Sequence, residues 1–233
     1  MEQPGLQSQL RTFPATAGLL ALIVAVFLME VALGGSTDAE VLLRLGAKFT
    51  PWVIVENQWW RLVTSTVLHI GPMHLAMNGW ALWQLGRLSE ITFGSATTLA
   101  LFVFTGIAGS ALSLLSLSIS AGASGALFGI EGALVAFFLR HRDRLTVAGR
   151  ALLKQLLVWS AAMFVFSFMM PGIDWLGHTG GFLGGIAVGW ALKSRYEQRS
   201  ETLSRMLVAI CVVILFISIG FAWFTPPLPF PFT

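Results

Sequence analysis

Two polar residues at the starts of apolar segments have the chemistry of a nucleophile and its base. Ser124 follows the small residues 121–123, and His178 lies in the glycine-rich run 177–181. A serine hydroxyl becomes an effective nucleophile when a neighbouring histidine accepts its proton. Hydroxyls inside membrane segments are common, so Ser124 alone indicates little. Its combination with His178 predicts a catalytic pair, provided that the fold brings the two side chains together.

The composition is that of an integral membrane protein. Of the 233 residues, 56% are hydrophobic and only 11% are charged, whereas soluble domains carry about 25% charged residues. The net charge of +3 is small. The basic residues cluster between apolar segments, which indicates membrane topology and argues against a nucleic-acid partner. Cys211 is the single cysteine, so no disulfide can form within the chain.

The apolar segments predict an all-α membrane protein, a polytopic helical bundle of about seven transmembrane helices. A helix needs about 20 apolar residues to cross the hydrocarbon core. Segments of suitable length and composition are 14–33, about 69 or 72 to 88, 96–117, 124–139, 152–170, 178–192 and 206–224.

The remaining stretches predict the domain organisation. Residues 1–13 are polar and are expected to form a short cytoplasmic tail. Residues 34–66 mix charges with three tryptophans, a residue that favours the membrane interface, and predict a surface loop with short amphipathic helices. Residues 193–233 comprise a basic loop, the last helix and a proline-rich tail that cannot continue a helix.

The basic loops predict the orientation. Residues 140–150 and 193–205 are rich in Lys and Arg, which places them in the cytoplasm. Alternation then puts the amino terminus inside, and the loop 34–66 and the carboxyl terminus outside. Three separate segments consequently bring Ser124, His178 and a group of polar residues near 69–78 to one depth, on the outer side of the membrane.

His74 and Asn78 are candidates for stabilising an oxyanion. They are four residues apart and share one helix face, and the first N–H groups of the helix that begins at Ser124 have no intrahelical partners. The alternative is that both residues hold helices together, as polar residues in membranes often do. Their common depth with Ser124 and His178 favours the oxyanion role.

A stripe of glycines can bring the histidine to the serine. His178, Gly181, Gly185 and Gly189 share a helix face, and the segment from Gly122 to Ala133 is also rich in small residues. Glycines at this spacing let helices approach closely. A plain helix contact would explain the glycines, but not the ionisable residue at the start of the stripe.

Two further residues follow Ser124 at helical spacing. Phe128 is one turn later, where its ring could support the imidazole or simply belong to the core. Glu131 is two turns later, and an acid deep in a membrane segment is costly unless it is paired or neutral. The sequence indicates no partner for it.

A zinc site is a weaker alternative. His69, His74 and His178 are ligand types that zinc accepts, but no HExxH pattern and no suitably placed carboxylate accompany them. We therefore expect neither a metal nor a cofactor.

In combination, these residues resemble the rhomboid family of intramembrane serine proteases. The resemblance covers about residues 14–192, the expected six-helix catalytic core, and the seventh helix resembles the extra carboxyl-terminal helix of many members. The matching pieces run in the family's order and are Trp60-Arg61, His69-xxxx-His74-xxx-Asn78, Glu90, Gly122-Ala123-Ser124-Gly125 and His178-xx-Gly181-xxx-Gly185.

The resemblance implies a Ser124–His178 dyad without a third acid, with His74, Asn78 and the Ser124 backbone N–H stabilising the oxyanion. His69, Arg61 and Glu90 would be structural. Single-span membrane proteins would be the substrates, cut within or near the outer part of their transmembrane helix. Glu131 departs from the pattern, because an apolar or small residue is expected there.

Two other functions compete with proteolysis. A catalytically silent relative would bind transmembrane helices, and the intact Ser124 and His178 argue against it. A transporter would favour inverted repeats and helices broken at the midplane, and the sequence suggests neither. We expect a bacterial cytoplasmic membrane as the location and membrane lipids as partners. The sequence names neither the substrate nor the oligomeric state.

Overall fold

The computed structural model describes residues 12–192 and 201–226, and this part of the chain is helical. It contains no β-strand, only an isolated bridge between Lys48 and Ser120. The helices are α1 (Pro14–Ala32), α2 (Ala39–Leu45), α3 (Thr50–Ile54), α4 (Arg61–Thr64), α5 (Pro72–Phe93), α6 (Ser95–Leu112), α7 (Ser124–Arg140), α8 (Val147–Met169), α9 (Trp175–Ala191) and α10 (Glu201–Phe224).

Four helical segments of the described residues are long and apolar enough, by length and composition, to cross a membrane. They are α1, α6 with the short 3-10 turn that follows it, α8 and α10. Helices α7 and α9 have 17 residues each, and α5 carries several polar side chains. The protein is therefore an all-α membrane protein with four candidate spans, and the count of about seven stays a prediction.

Helix α7 is the centre of the bundle. Every residue from 126 to 137 is buried, and α6 and α9 pack on it most extensively. A helix that is apolar on all sides is expected in such a position, because it contacts protein rather than solvent around its whole circumference. The helix that begins with Ser124 is thus the most enclosed of the helices that the structure describes.

Helices α7 and α9 meet backbone to backbone through their glycines. A Cβ atom on Gly181 or Gly185 would overlap the carbonyl oxygen of Gly125 or Gly129, respectively. Small residues permit this close approach between helices. The contact predicted from the two small-residue stripes therefore forms, and it holds the start of α9 against the start of α7.

Glu90 joins α5 to the beginning of α1. Its Oε1 accepts hydrogen bonds from the Thr16 backbone N–H at 2.7 Å and from the Thr16 hydroxyl at 2.6 Å. These donors lie in the first turn of α1, where backbone N–H groups lack intrahelical partners. Glu90 thus supplies the acceptor for donors at the start of α1.

Arg61 organises the loop of residues 34–66. Its guanidinium group donates to the carbonyls of Leu43 at 2.7 Å and Ala47 at 2.9 Å. The same group lies over the rings of Trp52 and Trp60, at 4.7 and 4.5 Å from their centroids. One buried cation therefore connects the three short helices α2, α3 and α4, which explains why a charged loop is ordered.

Two helices begin earlier than the hydropathy predicts. Helix α8 begins at Val147 rather than near 152, and the Thr146 hydroxyl caps it by accepting from the Gly149 N–H at 3.1 Å. Helix α9 begins at Trp175 rather than at His178, capped by Asp174. Capping residues are polar. They lower the average hydropathy near the start of the helix, so the apolar segment in the sequence begins later than the helix itself.

The ends of the chain also differ from expectation or lie outside the described residues. Phe13 was expected in a polar tail, but it is buried and its ring lies 5.0 Å from the guanidinium of Arg87. The predictions for residues 1–11, for the basic loop at 193–200 and for the proline-rich end at 227–233 concern residues outside the described part.

Candidate active site

Ser124 and His178 are in direct contact. Ser124 is the first residue of α7, and His178 lies in the first turn of α9. The Oγ of Ser124 and the Nε2 of His178 are 2.8 Å apart, within hydrogen-bond distance. The glycine contact between the two helices creates this proximity, although 54 residues separate the pair in the chain.

The other imidazole nitrogen contacts Ser167 of α8, at 2.8 Å between Oγ and Nδ1. The Ser167 hydroxyl has one proton and donates it to the carbonyl of Met163 at 2.7 Å. It must therefore accept a hydrogen bond from His178 Nδ1–H. In this tautomer Nε2 carries the lone pair, so it can accept the proton of Ser124.

Phe128 fixes the plane of the imidazole. Its ring stacks on that of His178 with 4.4 Å between centroids and 18° between planes. Phe128 in turn contacts Phe164 of α8, with centroids 4.9 Å apart. The histidine is thus held by an aromatic face as well as by hydrogen bonds.

A cavity of about 800 Å³ opens onto the pair. Its walls come from α5, α6, α7, α8 and the start of α9. On the side formed by α5 and α8, the rings of Trp80 and Trp159 are in contact, with centroids 5.9 Å apart and 61° between their planes. Both tryptophans are about half exposed, so this wall rests on side chains at the outside of the protein.

His74 and Asn78 border the same cavity. The Asn78 amide donates to the His74 carbonyl at 3.0 Å. The His74 ring covers Gly122, because a Cβ there would lie 2.6 Å from its Cε1 and 3.7 Å from Ser124 Oγ. Gly122 also has a φ of +149°, which side chains rarely allow. The described residues show no hydrogen bond from His74 or Asn78 to Ser124.

The fold and this geometry agree with the comparison with known protein families. The family model of the rhomboid domain matches residues 56–195. The chain belongs to the rhomboid family. The matched region contains Ser124 and His178, together with the elements α4 to α9 that surround them.

Curated rhomboid relatives match the chain over most of its length. Rhomboid protease GluP of Bacillus subtilis (strain 168) is 37% identical over 203 residues, which is 87% of this chain and 38% of that protein. Two Arabidopsis thaliana proteins follow: RHOMBOID-like protein 6, mitochondrial, is 35% identical over 66% of this chain and 50% of its own length. RHOMBOID-like protein 2 is 32% identical over 79% of this chain and 63% of its own length. The chain thus spans less than two thirds of each of these relatives.

Two charged residues missed by the sequence analysis brace the turn before Ser124. Asp174 accepts hydrogen bonds from the hydroxyls of Ser113 and Ser120 and from the Gly177 N–H. It therefore ties the approach to Ser124 to the start of the helix that carries His178. In the sequence, Asp174 precedes an apolar segment by a few residues, which is a position typical of a helix cap. This position is the feature from which its role could have been predicted.

Lys48 braces the same turn of the rhomboid domain from the other side. Its Nζ donates to the carbonyls of Ser113 at 3.0 Å, Ser116 at 3.2 Å and Ser118 at 2.8 Å. Burial lowers the pKa of Lys48, and the charge of Asp174 acts in the opposite direction. Lys48 lies in a charged, tryptophan-rich loop, and nothing in the sequence around it predicts that its side chain is buried.

His69 lies behind His74. Its backbone N–H donates to Glu30 Oε1 at 2.9 Å, and its ring meets that of His74 with centroids 5.4 Å apart. Burial lowers the pKa of His69 to about 3, so the ring is neutral at physiological pH. Among the residues that the structure describes, no three His, Cys, Asp or Glu side chains form a group that could hold a metal ion.

Proposed function

We propose that this rhomboid family member is an intramembrane serine endopeptidase with Ser124 as nucleophile and His178 as base. The observation that carries the proposal is the 2.8 Å hydrogen bond between Ser124 Oγ and His178 Nε2 at the wall of a cavity. The similarity to a rhomboid protease supports it.

The reaction follows from the hydrogen bonds of the pair. Ser124 Oγ attacks the scissile carbonyl carbon while its proton moves to His178 Nε2. The imidazolium then gives this proton to the leaving amine, the C–N bond breaks, and an acyl ester on Ser124 remains. Water, activated by His178 in the same way, hydrolyses the ester and restores the serine. Throughout, Ser167 accepts the hydrogen bond of Nδ1–H.

The negative charge on the carbonyl oxygen is stabilised by donors around Ser124. The first backbone N–H groups of α7 have no intrahelical partners, and Ala123 offers no side-chain cap. His74 and the second amide proton of Asn78 complete the set, since both residues border the cavity beside Ser124. Such donors act chiefly in the transition state.

The substrates are single-span membrane proteins, cut in or near the outer part of their transmembrane helix. The basic loops favour an amino terminus in the cytoplasm and a dyad toward the extracytoplasmic side, in a bundle of about seven transmembrane helices. The location is a bacterial cytoplasmic membrane. A substrate helix must unfold locally at the cut, because its peptide bonds are otherwise enclosed by the helix.

A fluorophosphonate probe tests the dyad. We expect it to label the wild-type protein in liposomes, and to label neither Ser124→Ala nor His178→Ala. A defined single-span substrate should be cut by the wild type alone. Absence of both labelling and cleavage in the folded wild type would refute the proposal and favour a silent protein that binds transmembrane helices.

The oxyanion role has its own test. His74→Ala and Asn78→Ala should each lower kcat by about 10²-fold to 10³-fold, the range seen for single oxyanion donors. Substrate affinity, measured by adding the Ser124→Ala change, should vary much less. A loss of affinity with an unchanged kcat would contradict the role.

A further inference from the structure

Glu131 is an acidic residue inside the rhomboid domain that the proposed reaction does not use. It lies seven residues after Ser124 on α7, which is about 10 Å along the axis and close to two full turns, so both residues lie on one face. Its side chain is buried, with 2% exposed. It nevertheless borders the cavity that reaches Ser124 and His178.

The carboxyl group of Glu131 is incompletely satisfied. Its Oε1 has no hydrogen-bond partner among the residues that the structure describes. The Ser160 hydroxyl of α8 interacts with the carboxyl group, but it donates its proton to the Leu156 carbonyl at 2.9 Å. A buried carboxyl group without a donor is costly, and acids within membrane spans usually pair with another group. Glu131 can therefore accept a hydrogen bond from outside the chain.

The cavity limits which donors fit. The cavity is lined mainly by apolar side chains, among them Leu127, Phe128, Trp159 and Met163. A substrate side chain that starts near Ser124 has to be long to approach Glu131. Lys and Arg combine a long apolar stem, which can lie along apolar surface, with a charged end. Their hydrogen bonds to a carboxylate are also stronger than those of neutral donors.

We propose that Glu131 forms the floor of a specificity subsite that receives a Lys or Arg side chain from a residue flanking the scissile bond. The inference rests on the proposed protease activity. The ammonium or guanidinium group pairs with the carboxylate, and the pairing holds the scissile carbonyl beside Ser124. A Met side chain of similar length fills the same path without a charge at its end.

The experiment compares transmembrane substrates that differ only at the two residues flanking the scissile bond, which are set in turn to Lys, Arg, Met or Ala. In liposomes, we expect the wild-type kcat/KM to be at least about tenfold higher for the best Lys or Arg substrate than for its Met counterpart. This is the size of one charge-assisted hydrogen bond. Equal rates for Lys and Met at both positions would overturn the subsite.

Two variants separate the subsite from general effects. Glu131→Gln keeps the shape and removes the charge, so we expect the Lys-to-Met ratio to fall to about the value for a neutral pair. Asp143→Asn makes the same change at a side chain that is 91% exposed, and should keep the wild-type ratio. An unchanged ratio in Glu131→Gln would refute the subsite.

Fluorophosphonate labelling distinguishes failure of the subsite from failure of the protease. If the wild type labels and cuts the Ala substrate but shows no preference for a basic residue, only the subsite is wrong. If the wild type neither labels nor cuts, the proposed function is refuted and the subsite with it. If Glu131→Gln does not fold, the wild-type Lys-to-Met ratio alone decides.

Discussion

Ser167→Ala should slow the proposed reaction although Ser167 is not hydrogen-bonded to the nucleophile Ser124. Its hydroxyl is the acceptor for His178 Nδ1–H at 2.8 Å and is 1% exposed. Removing it leaves a buried donor without a partner. It also removes the preference for the tautomer in which Nε2 is free to take the proton of Ser124.

The magnitude follows from the hydrogen bond. An unsatisfied buried donor costs about 1–3 kcal/mol, and this cost is largest when His178 becomes an imidazolium ion. That corresponds to a reduction of kcat by roughly fivefold to 150-fold. KM should change little, because the buried Ser167 hydroxyl acts on the reaction through His178.

The assay is steady-state cleavage of a defined transmembrane substrate, with fluorophosphonate labelling rates as a second measure. Thr92→Ala is the matched control: the Thr92 hydroxyl also donates to the carbonyl four residues earlier, but Thr92 lies on α5 and borders neither His178 nor the cavity. Ser167→Thr should restore much of the rate, because it retains the hydroxyl. A kcat of Ser167→Ala within twofold of wild type, in a protein with unchanged Tm, would refute the reasoning.

Two further changes test the architecture. Gly185→Ala should destabilise the protein by about 1–3 kcal/mol and abolish probe labelling, because the added methyl group would overlap the Gly129 carbonyl. Gly220→Ala is the control, since Gly220 has open space around it. Equal Tm values for the two variants would contradict the packing argument. Lys48→Met should cost about 2 kcal/mol or more, because three carbonyls lose a charged donor. Lys154→Met, at an exposed lysine, should be nearly neutral in the same thermal unfolding assay, and a similar Tm for both lysine variants would indicate that the brace is unimportant.

The long helices and the pairing of Ser124 with His178 were accessible from the sequence. Apolar segments reveal helices, and the glycine spacing indicates which faces can approach closely. The family comparison confirms the resemblance to rhomboid proteases. The starts of α8 and α9 were predicted less accurately. Their polar caps, Thr146 and Asp174, lower the local average hydropathy, so the apolar segments in the sequence begin later than the helices.

The supporting residues could not be predicted because their roles depend on contacts across the fold. Ser167 is one hydroxyl among several in apolar helices until α8 is placed beside α9. The sequence around Lys48 is typical of a surface charge, but the chain turns back over it and three carbonyls accept hydrogen bonds from its ammonium group. Such residues have ordinary types at unremarkable spacings, so only the tertiary structure gives them a role.

The backbone contact at Gly181 and Gly185 has a consequence for the response to bilayer thickness. A transmembrane helix whose apolar stretch is longer than the bilayer is thick can adapt by tilting. Since no side chain separates α7 from α9 at these glycines, the two helices tilt together and the Ser124–His178 distance is preserved. The cavity wall where Trp80 meets Trp159 joins α5 and α8 through two half-exposed side chains rather than through the backbone. We therefore expect lipid chain length to change the width of this cavity wall more than the contact between Ser124 and His178.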